Sequence, residues 1–336
     1  MNTSNRVPHA LFFGDKNRIA MVYGDGRMDT VSSLTALYDE IVTRVNFCEH
    51  SAALADTEVI FTTWGMPLLT SEQVGSMPNL KLVLYAAGTV QPFAAPLLQA
   101  GVRIVSGWRA NAEPVAHFTL GQILLSAKGF YRNVREYDGS PEMFRSASRG
   151  PGVYRQAIGL LGCGAVARRV VELLKQFDLD ILVYDPFLTD LEAESLGVEK
   201  VSITELFSRP LIVSNHLPDK PETVGLINRH LLSSMRVGAT FINTGRGATV
   251  NEPELVEVFR HRGDLTALLD VTFPEPMGGE SSLKILSNVV VSSHIAGATN
   301  SEVYRMADLC IDEFKRYVAG EPLMHEVTAE MLRRLA

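Results

Sequence analysis

The sequence has few cysteines, no excess of positive charge and no long apolar run. Cys48, Cys163 and Cys310 lie far apart without a CxxC spacing, so we expect neither a disulfide framework nor a metal site. The formal net charge of −7 offers no basic surface for nucleic acid. No apolar run approaches the roughly 20 residues of a membrane span, and the short apolar patch at 10–13 lacks signal-peptide architecture. We therefore expect a cytoplasmic protein that binds neither nucleic acid nor membrane.

The length of 336 residues and the hydrophobic fraction of 46% are ordinary for a globular chain of two domains. Short β-rich runs alternate with helix-like stretches, a pattern typical of parallel α/β sheets. The runs form a first series at 58–63, 81–85 and 102–105, and a second at 157–161, 180–184, 211–214, 239–243, 265–269 and 289–292. The predicted fold class is therefore α/β, with two successive parallel-sheet domains.

Two helix-like stretches stand outside this alternation. Residues 111–135 predict a helix that is apolar around much of its circumference, which indicates burial inside a domain or against a partner chain. Residues 302–318 predict a last helix after the second series. Helical periodicity does not say which domain receives it.

A glycine-rich segment follows the first run of the second series. Gly162 and Gly164 occupy the first two positions of the pattern GxGxxG, and Ala167 occupies the third, where a small residue lets helix and strand pack closely. The first glycine permits a tight turn, and the second lets the backbone approach a pyrophosphate. A helix predicted over 165–177 then presents its free N–H groups to the phosphates.

Asp185 ends the next predicted strand, eighteen residues beyond Ala167. A carboxylate there accepts hydrogen bonds from both ribose hydroxyls and repels a 2′-phosphate, which favours NAD over NADP. The alternative is a glycine-rich turn followed by an unrelated aspartate. Because strand, turn, helix and acid all stand in register, the pattern favours a dinucleotide site.

Three further polar residues each follow a predicted strand of the second series. Arg246 follows 239–243, Glu275 follows 265–269, and His294 follows 289–292. Loops at the carboxyl ends of parallel strands build the ligand crevice of such sheets. We therefore expect all three side chains at the edge where the dinucleotide binds.

The chemistry of these three residues is complementary. A guanidinium grips a carboxylate and a neighbouring carbonyl oxygen, an imidazole hands a proton to that oxygen as hydride arrives, and a carboxylate orients the imidazole. Singly, each is more often a structural or surface residue. Their joint placement favours a catalytic trio that reduces a 2-keto acid.

The sequence resembles the D-isomer-specific 2-hydroxyacid dehydrogenase family over nearly its full length. The motifs that carry the resemblance are the glycine-rich loop, Leu217-Pro218 with Thr223, Asn243-x-x-Arg246-Gly247, Leu269-Asp270-Val271 with Glu275-Pro276, and His294-x-x-Gly297. The resemblance implies that Arg246 binds the substrate carboxylate and polarises the carbonyl. It also implies that His294 is the general acid in reduction and the base in oxidation, supported by Glu275.

The resemblance implies the cofactor and the architecture as well. NAD would be held in a Rossmann domain over 108–301, with Asp270 on the nicotinamide carboxamide and the backbone of Thr244 along the nicotinamide ring. A flavodoxin-like substrate domain would be discontinuous, formed by 1–107 and 302–336, and the helix near 111–128 would mediate a homodimer. The candidate cofactor-binding residues are Gly162, Gly164, Ala165, Val166, Asp185, Leu217, Pro218, Thr223, Thr244, Asp270 and Gly297.

The departures from the family pattern fall on the substrate side. Candidate substrate residues are Arg246, Trp64 as a cap on the side chain, and the backbone N–H groups of Ala87, Gly88 and Thr89. The Asp-Asn that usually follows this loop is Val90-Gln91, and the glutamate usual at the start of the long helix is His117. These differences leave the reaction type intact and the substrate open. Tyr85 and Phe93 could add aromatic surface for a bulky acid, and Arg149 could add an anion contact, although a solvated loop charge is the simpler interpretation of that arginine.

Two other functions stay open at this point. The first is an NAD-sensing binding scaffold, since a dehydrogenase fold does not require turnover. The second is a dehydrogenase of another small anion such as phosphite, whose relatives keep the trio. Formate is disfavoured, because relatives acting on formate carry Gln where this chain has Glu275.

Overall fold

A computed structural model of the chain describes residues 7–145 and 150–332, and Arg149 lies outside them. The chain divides into two compact units, Met1–Asn111 with Ala298–Ala336 (unit 1) and Ala112–Gly297 (unit 2). The boundaries predicted from the sequence, after 107 and after 301, remain a prediction. Within the described ranges, no helix is long and apolar enough to cross a membrane.

Unit 1 contains a five-stranded sheet in which every strand pairs parallel to its neighbours. The strand order β2-β1-β3-β4-β5 is the flavodoxin-like order, which confirms the predicted class of this unit. The short run at 10–13 is a central strand that the sequence pattern missed, because four apolar residues alone do not distinguish a strand from a turn of helix. The strands are β1 His9–Phe12, β2 Ala36–Leu37, β3 Val59–Thr62, β4 Leu82–Tyr85 and β5 Arg103–Ser106.

Unit 2 contains a seven-stranded parallel sheet in the order β12-β11-β10-β9-β6-β7-β8. The order reverses beside β6, which is the Rossmann arrangement with one added edge strand and confirms the predicted class. Six of these strands start and end within three residues of the predicted runs, whereas β8, which is two residues long, was not predicted. They are β6 Tyr154–Leu161, β7 Asp178–Tyr184, β8 Glu199–Lys200, β9 Ile212–Asn215, β10 Thr240–Asn243, β11 Thr266–Leu269 and β12 Val289–Val291.

Helices connect the strands in both units, and side-chain caps fix where several of them begin. Thr70 with Gln73 and Thr189 with Glu192 form capping boxes, in which each side chain satisfies a backbone N–H at the helix start. The α-helices among the described residues are α1 Lys16–Val22, α2 Arg27–Leu34, α3 Ser51–Asp56, α4 Ser71–Gly75, α5 Gln91–Gln99, α6 Trp108–Ala127, α7 Phe130–Glu136, α8 Pro141–Arg145, α9 Ala165–Leu174, α10 Asp190–Leu196, α11 Ile203–Ser208, α12 Arg229–Ser233, α13 Glu252–His261, α14 Tyr304–Val318 and α15 Ala329–Leu332.

Each sheet is covered by its own apolar core. In unit 1 the last long helix, α14, packs on the sheet, and the ring of Phe314 meets that of Phe61 edge-on at 5.4 Å. Tyr23 and Phe12 extend this aromatic cluster, with their ring centroids 5.0 Å apart. In unit 2, Phe207 stacks on Phe241 of β10 at 6.4 Å. Burial of such rings is the main source of stability for parallel sheets, whose two faces are both covered.

Candidate active site

Unit 2 carries its polar motifs at the carboxyl edge of its sheet. Because all its strands are parallel, the loops that follow them emerge on one side of the sheet. Strand order then sets the order of the motifs along that edge: His294 after β12, Glu275 after β11, Arg246 after β10, Leu217 after β9, Gly162 after β6 and Asp185 after β7.

His294 and Glu275 form an ion pair within this edge. The distance from His294 Nδ1 to Glu275 Oε1 is 2.6 Å, and both side chains remain substantially exposed, at 48% and 40%. His294 adopts a left-handed backbone conformation with a φ of +58°, which is uncommon for a residue with a side chain. Since Nδ1 meets the carboxylate, Nε2 is the ring nitrogen left to face a ligand.

The buried carboxylate of Asp270 fixes the loop that carries His294. Asp270 is 2% exposed, and its oxygens accept from Ser292 Oγ at 2.6 Å, Ile295 N at 2.9 Å and Ala296 N at 2.8 Å. Its carbonyl oxygen accepts from the His294 N–H at 2.9 Å. Asp270 is therefore a positioning residue for His294, and its predicted contact with a nicotinamide carboxamide remains a prediction.

Arg246 is a part-buried cation in the loop after β10. Its Nη1 donates to the carbonyl oxygen of Gly245 at 2.8 Å. Burial lowers the pKa of the guanidinium, whereas the negative charges of Asp219 and Glu275 act in the opposite direction. An arginine stays protonated at neutral pH after such a shift, so the site keeps a full positive charge beside the histidine–glutamate pair.

A buried polar network, which sequence reasoning missed, shapes the loops after β9 and β10. Asn215 Nδ2 donates to Asn243 Oδ1 and to Thr249 Oγ1, both at 2.9 Å. Thr249 Oγ1 donates at 2.7 Å to the carbonyl oxygen of Arg246, and Asn243 Oδ1 accepts from Gly245 N at 3.1 Å. The network holds the backbone on both sides of Arg246. Its only sequence signal is a polar residue at the end of each of two apolar strands.

Gly247 brings the arginine loop against the loop that leads to Glu275. A Cβ at Gly247 would overlap the backbone of Thr272, so the two chain segments approach more closely than any side chain permits. This contact explains why glycine follows Arg246, and it fixes the spacing between the arginine and glutamate loops.

The glycine-rich loop has the geometry that a dinucleotide needs. Gly162 adopts a φ of +93°, and a Cβ there would lie 3.1 Å from the carbonyl oxygen of His216. A Cβ at Gly164, in contrast, meets no atom within 4 Å, so open space lies beside the start of α9. Gly164 is the N-cap and makes no side-chain cap, which leaves the first amides, beginning with Ala165 and Val166, directed at that space.

Asp185 lies directly beside the glycine-rich loop. Its Oδ2 accepts from the Cys163 N–H at 2.7 Å and its Oδ1 from the Phe187 N–H at 2.8 Å. Ala167 is 1% exposed where α9 packs on the sheet, as expected for the small third position of the motif. Strand, turn, helix and acid thus meet in space, and their donor set fits the pyrophosphate and ribose of a dinucleotide.

The remaining predicted cofactor residues of unit 2 lie along the same edge. The Leu217 N–H donates to Asn215 Oδ1 at 3.1 Å, and Thr223 Oγ1 closes its loop by donating to the Pro218 carbonyl at 2.6 Å. Thr244 is 8% exposed, and its hydroxyl lies 3.0 Å from that of Thr119 on α6. Gly297 ends the unit, three residues after His294. Their individual contacts with a cofactor remain predictions.

His216, which precedes Leu217, is a further residue that sequence reasoning passed over. Its Nε2 lies 3.0 Å from Ser214 Oγ, and burial lowers the pKa of the ring to about 4. The imidazole is therefore neutral at pH 7 and serves the loop as a structural group rather than as a charge. Its carbonyl oxygen is the atom that requires glycine at position 162.

In unit 1 the Ala87 N–H of the predicted substrate loop donates to the Tyr85 carbonyl at 2.8 Å, whereas the next two amides point to one side. Ser106 Oγ lies 3.0 Å from the carbonyl oxygen of Ala87 and 2.6 Å from that of Gly88. Because a trans peptide places its N–H opposite its carbonyl, the N–H groups of Gly88 and Thr89 point away from Ser106. Trp64 is half-buried at the end of β3. The role of these residues in binding a substrate remains a prediction.

Several of the unusual residues of the sequence have structural contacts. Tyr85 and Phe93 pack edge-on with ring centroids 4.9 Å apart and are 6% and 4% exposed, so they offer little aromatic surface to a ligand. Gln91 begins α5 and donates to the Leu332 carbonyl at 2.9 Å. His117 Nε2 lies 3.0 Å from Glu113 Oε1, within the helix α6.

The fold and the glycine-rich loop of unit 2 are those of a dinucleotide-binding oxidoreductase domain. A family model described as "D-isomer specific 2-hydroxyacid dehydrogenase, NAD binding domain" matches residues 120–296, more than half of the chain. The chain belongs to the D-isomer specific 2-hydroxyacid dehydrogenase family. The predicted family and the predicted cofactor class, NAD, are thereby confirmed.

Individual relatives agree with this assignment. D-3-phosphoglycerate dehydrogenase of Mycobacterium leprae is 30% identical over 256 residues, which cover 75% of this chain and 47% of the relative. The chain thus spans about half the length of that relative. D-mandelate dehydrogenase of Rhodotorula graminis has a similar structure, with a TM-score of 0.78, 21% identity, and coverage of 96% and 98%. The structure of a phosphoglycerate oxidoreductase of Rhizobium etli is also similar, with a TM-score of 0.77 and 23% identity. The match covers 97% of this chain and 99% of that protein. At these identities the two structures establish the fold alone.

Replacing Gly247 by alanine tests the close approach of the arginine and glutamate loops. The new Cβ forces the Thr272 backbone to move, so we expect the free energy of unfolding to fall by about 1–3 kcal/mol. Chemical denaturation followed by circular dichroism measures it. Gly263→Ala is the matched control, because a Cβ there meets nothing within 4 Å. Equal unfolding free energies for the two variants would contradict the contact.

Proposed function

We propose that the protein is an NAD-dependent enzyme that transfers a hydride between NAD(H) and a 2-keto or D-2-hydroxy acid. The observation that carries the proposal is the His294–Glu275 pair, with 2.6 Å between Nδ1 and Oε1, on the same sheet edge as Arg246 and the glycine-rich loop. An acid–base pair, a cation and a dinucleotide loop are the parts that carbonyl reduction requires.

His294 moves the proton in this mechanism. Glu275 engages Nδ1, so Nε2 donates a proton to the carbonyl oxygen during reduction and recovers it during oxidation. The contact of Glu275 with Nδ1 also fixes the orientation of the ring. The bonds of Asp270 to the neighbouring amides keep the ring in place through the cycle.

Arg246 binds the acid group of the substrate. A guanidinium forms two parallel hydrogen bonds with a carboxylate, which orients the adjacent carbonyl carbon. Partial burial strengthens this attraction because fewer water molecules screen it. The bond from Arg246 to the Gly245 carbonyl limits its rotation, so the substrate meets a pre-positioned charge.

The nicotinamide of NADH, when bound, supplies the hydride. The amides at the start of α9 hold the pyrophosphate, and Asp185 accepts from the ribose hydroxyls. The small-molecule partner is then a 2-keto or 2-hydroxy acid, and the particular acid is left open by the Val90-Gln91 departure. The intact His294–Glu275 pair counts against a non-catalytic NAD-sensing scaffold. The predicted cytoplasmic location remains a prediction.

Two substitutions separate catalysis from cofactor binding. We expect His294→Ala and Arg246→Ala to lower kcat/KM for 2-keto acids by roughly 10²-fold or more, since each removes a group that acts at the reacting carbonyl. NADH affinity, measured by fluorescence titration, should stay at the wild-type value. His230→Ala and Arg260→Ala, on exposed residues of α12 and α13, are the matched controls. Near wild-type turnover in either active-site variant would remove that residue from the mechanism.

Asp185→Ser tests the choice between the two nicotinamide cofactors. Loss of the carboxylate removes a ribose acceptor and the repulsion of a 2′-phosphate, so we expect the NAD⁺ dissociation constant to rise by about tenfold while that of NADP⁺ changes less. Asp190→Ser, on a carboxylate that pairs with Lys200 at the protein surface, serves as control. An unchanged ratio of the two affinities would rule out the ribose assignment.

We also propose a homodimer, in keeping with the family resemblance. α7 buries none of its residues, and Phe130 and Val134, four residues apart on one face, are 47% and 62% exposed. Leu125 adds exposed apolar surface at the end of α6. A second copy of the chain that packs on this face would remove it from water.

Val134→Glu tests the dimer. A charge in an apolar interface is costly to desolvate, so we expect light scattering after size-exclusion chromatography to give the mass of one chain for this variant and of two for the wild type. Val237→Glu, at a position that is 77% exposed in unit 2, should remain dimeric. A wild-type monomer, or a Val134→Glu dimer as stable as the wild type, would contradict the proposal.

A further inference from the structure

Arg168, near the start of α9, is a cation beside the glycine-rich loop that the proposed mechanism does not use. Its Nε donates to the carbonyl oxygen of Cys163 at 3.0 Å. The N–H of the same cysteine donates to Asp185 Oδ2 at 2.7 Å. Because both side chains bond to the backbone of one residue, Arg168 Nε and Asp185 Oδ2 lie within about 10 Å of each other.

Glu192, on α10, pairs with this guanidinium. Arg168 Nη2 lies 2.9 Å from Glu192 Oε1, and the two side chains are 41% and 43% exposed. The other oxygen of Glu192 accepts from the Thr189 N–H at 3.0 Å, as part of the capping box of α10. Hydrogen bonds from Thr189 and from Arg168 lower the pKa of Glu192 to about 2. The carboxylate is therefore ionised at neutral pH.

Three charges thus surround the residue between the two glycines of the loop. Burial raises the pKa of the Cys163 thiol. The charges of Arg168, Asp185 and Glu192 all act on that thiol, the arginine in the opposite direction to the two carboxylates. Two carboxylates and one guanidinium leave a single negative charge in excess. A ribose with a free 2′-hydroxyl tolerates that excess, whereas a 2′-phosphate, which carries about two negative charges at neutral pH, is repelled.

The pair with Glu192 also withholds the guanidinium from a phosphate. A guanidinium binds a phosphate through two parallel hydrogen bonds, and an arginine near the ribose acid accommodates the 2′-phosphate of NADP in this class of fold. Here two of the donors of Arg168 are bonded to Cys163 and to Glu192. Exposed ion pairs of this kind add little to stability, so we expect the main effect of the pair to be on the ligand that the site accepts.

We propose that Glu192 is a second determinant of cofactor choice, which acts with Asp185 to exclude NADP by engaging Arg168 and by repelling a 2′-phosphate. Arg168 is then a latent phosphate-binding residue, available once Glu192 loses its charge. The inference rests on the proposed function in placing the adenosine ribose of the dinucleotide at Asp185. It deepens that function, because the sequence pattern assigns the choice between the cofactors to Asp185 alone.

Glu192→Gln tests the proposal, because glutamine removes the charge and still suits a capping box. Calorimetric titration of the full chain with NAD⁺ and NADP⁺ gives the ratio of the two dissociation constants. A general disturbance of the loop weakens both cofactors and leaves that ratio unchanged. We expect Glu192→Gln to lower the NADP⁺ dissociation constant by about threefold or more and to leave the NAD⁺ constant at the wild-type value.

Two double variants separate the roles of the three charges. Arg168→Ala combined with Glu192→Gln should return the ratio to the wild-type value, since it removes the cation that would hold the phosphate. Asp185→Ser combined with Glu192→Gln should favour NADP⁺ more than either single change, since the site then carries a net positive charge.

Glu194→Gln is the matched control. It removes an equal charge from an exposed position on α10, two residues from Glu192 and therefore on a different side of the helix. The inference is overturned if Glu192→Gln shifts the ratio no more than Glu194→Gln does, or if the gain in NADP⁺ affinity survives the addition of Arg168→Ala.

Asp185→Ser distinguishes a failure of this inference from a failure of the proposed function. If Asp185→Ser changes the ratio and Glu192→Gln does not, only the inference is overturned. If Asp185→Ser leaves the ratio unchanged, the proposed ribose site is wrong, and the inference that rests on it is overturned as well. Because the titrations need no turnover, an absence of dehydrogenase activity would refute the proposed reaction and leave the inference standing.

Discussion

The bonds around the buried Asp270 carboxylate are the constraint on which the proposed chemistry depends. A carboxylate that is 2% exposed costs several kcal/mol to desolvate unless donors surround it, and here one hydroxyl and two consecutive amides do so. Those same donors belong to the loop of His294. The hydrogen bonds that satisfy the buried charge therefore also hold His294 in its left-handed conformation. The exposed His294–Glu275 ion pair does not have to position the histidine by itself.

Different interactions, which are neutral hydrogen bonds and a close backbone contact, hold the arginine loop. The hydrogen bonds of Asn215, Asn243 and Thr249 hold the backbone around Arg246. Because Gly247 has no side chain, the backbone of Thr272 can pack directly against the arginine loop. Neutral hydrogen bonds and one steric requirement thus position the backbone that carries this cation. The site combines rigid backbone with side chains that stay accessible, which suits a reaction whose substrate arrives from water.

Much of this architecture follows from the sequence, because apolar runs between glycine and proline signals mark buried parallel strands. Six of the seven strands of unit 2, and the motif loops at their ends, could be predicted in order. β1 could not, since its apolar run is only four residues long, and neither could β2 and β8, which have two residues each. The roles of Asn215, Thr249 and the Asp270 donors also escaped prediction, because each bond joins loops from different strands, and one-dimensional spacing does not record which loops meet.

The packing of Phe314 on Phe61 has a consequence for how the chain is made. Unit 2 is one continuous segment, whereas the unit 1 sheet receives α14 from the segment that follows unit 2. During synthesis on the ribosome, unit 2 can close its core as soon as its last strand emerges. The aromatic face of the first sheet stays uncovered until α14, which follows unit 2 in the sequence, has been synthesised, and exposed strands are prone to aggregate during that interval. Synthesis of unit 1 thus begins before that of unit 2, but unit 2 is the first of the two to be complete.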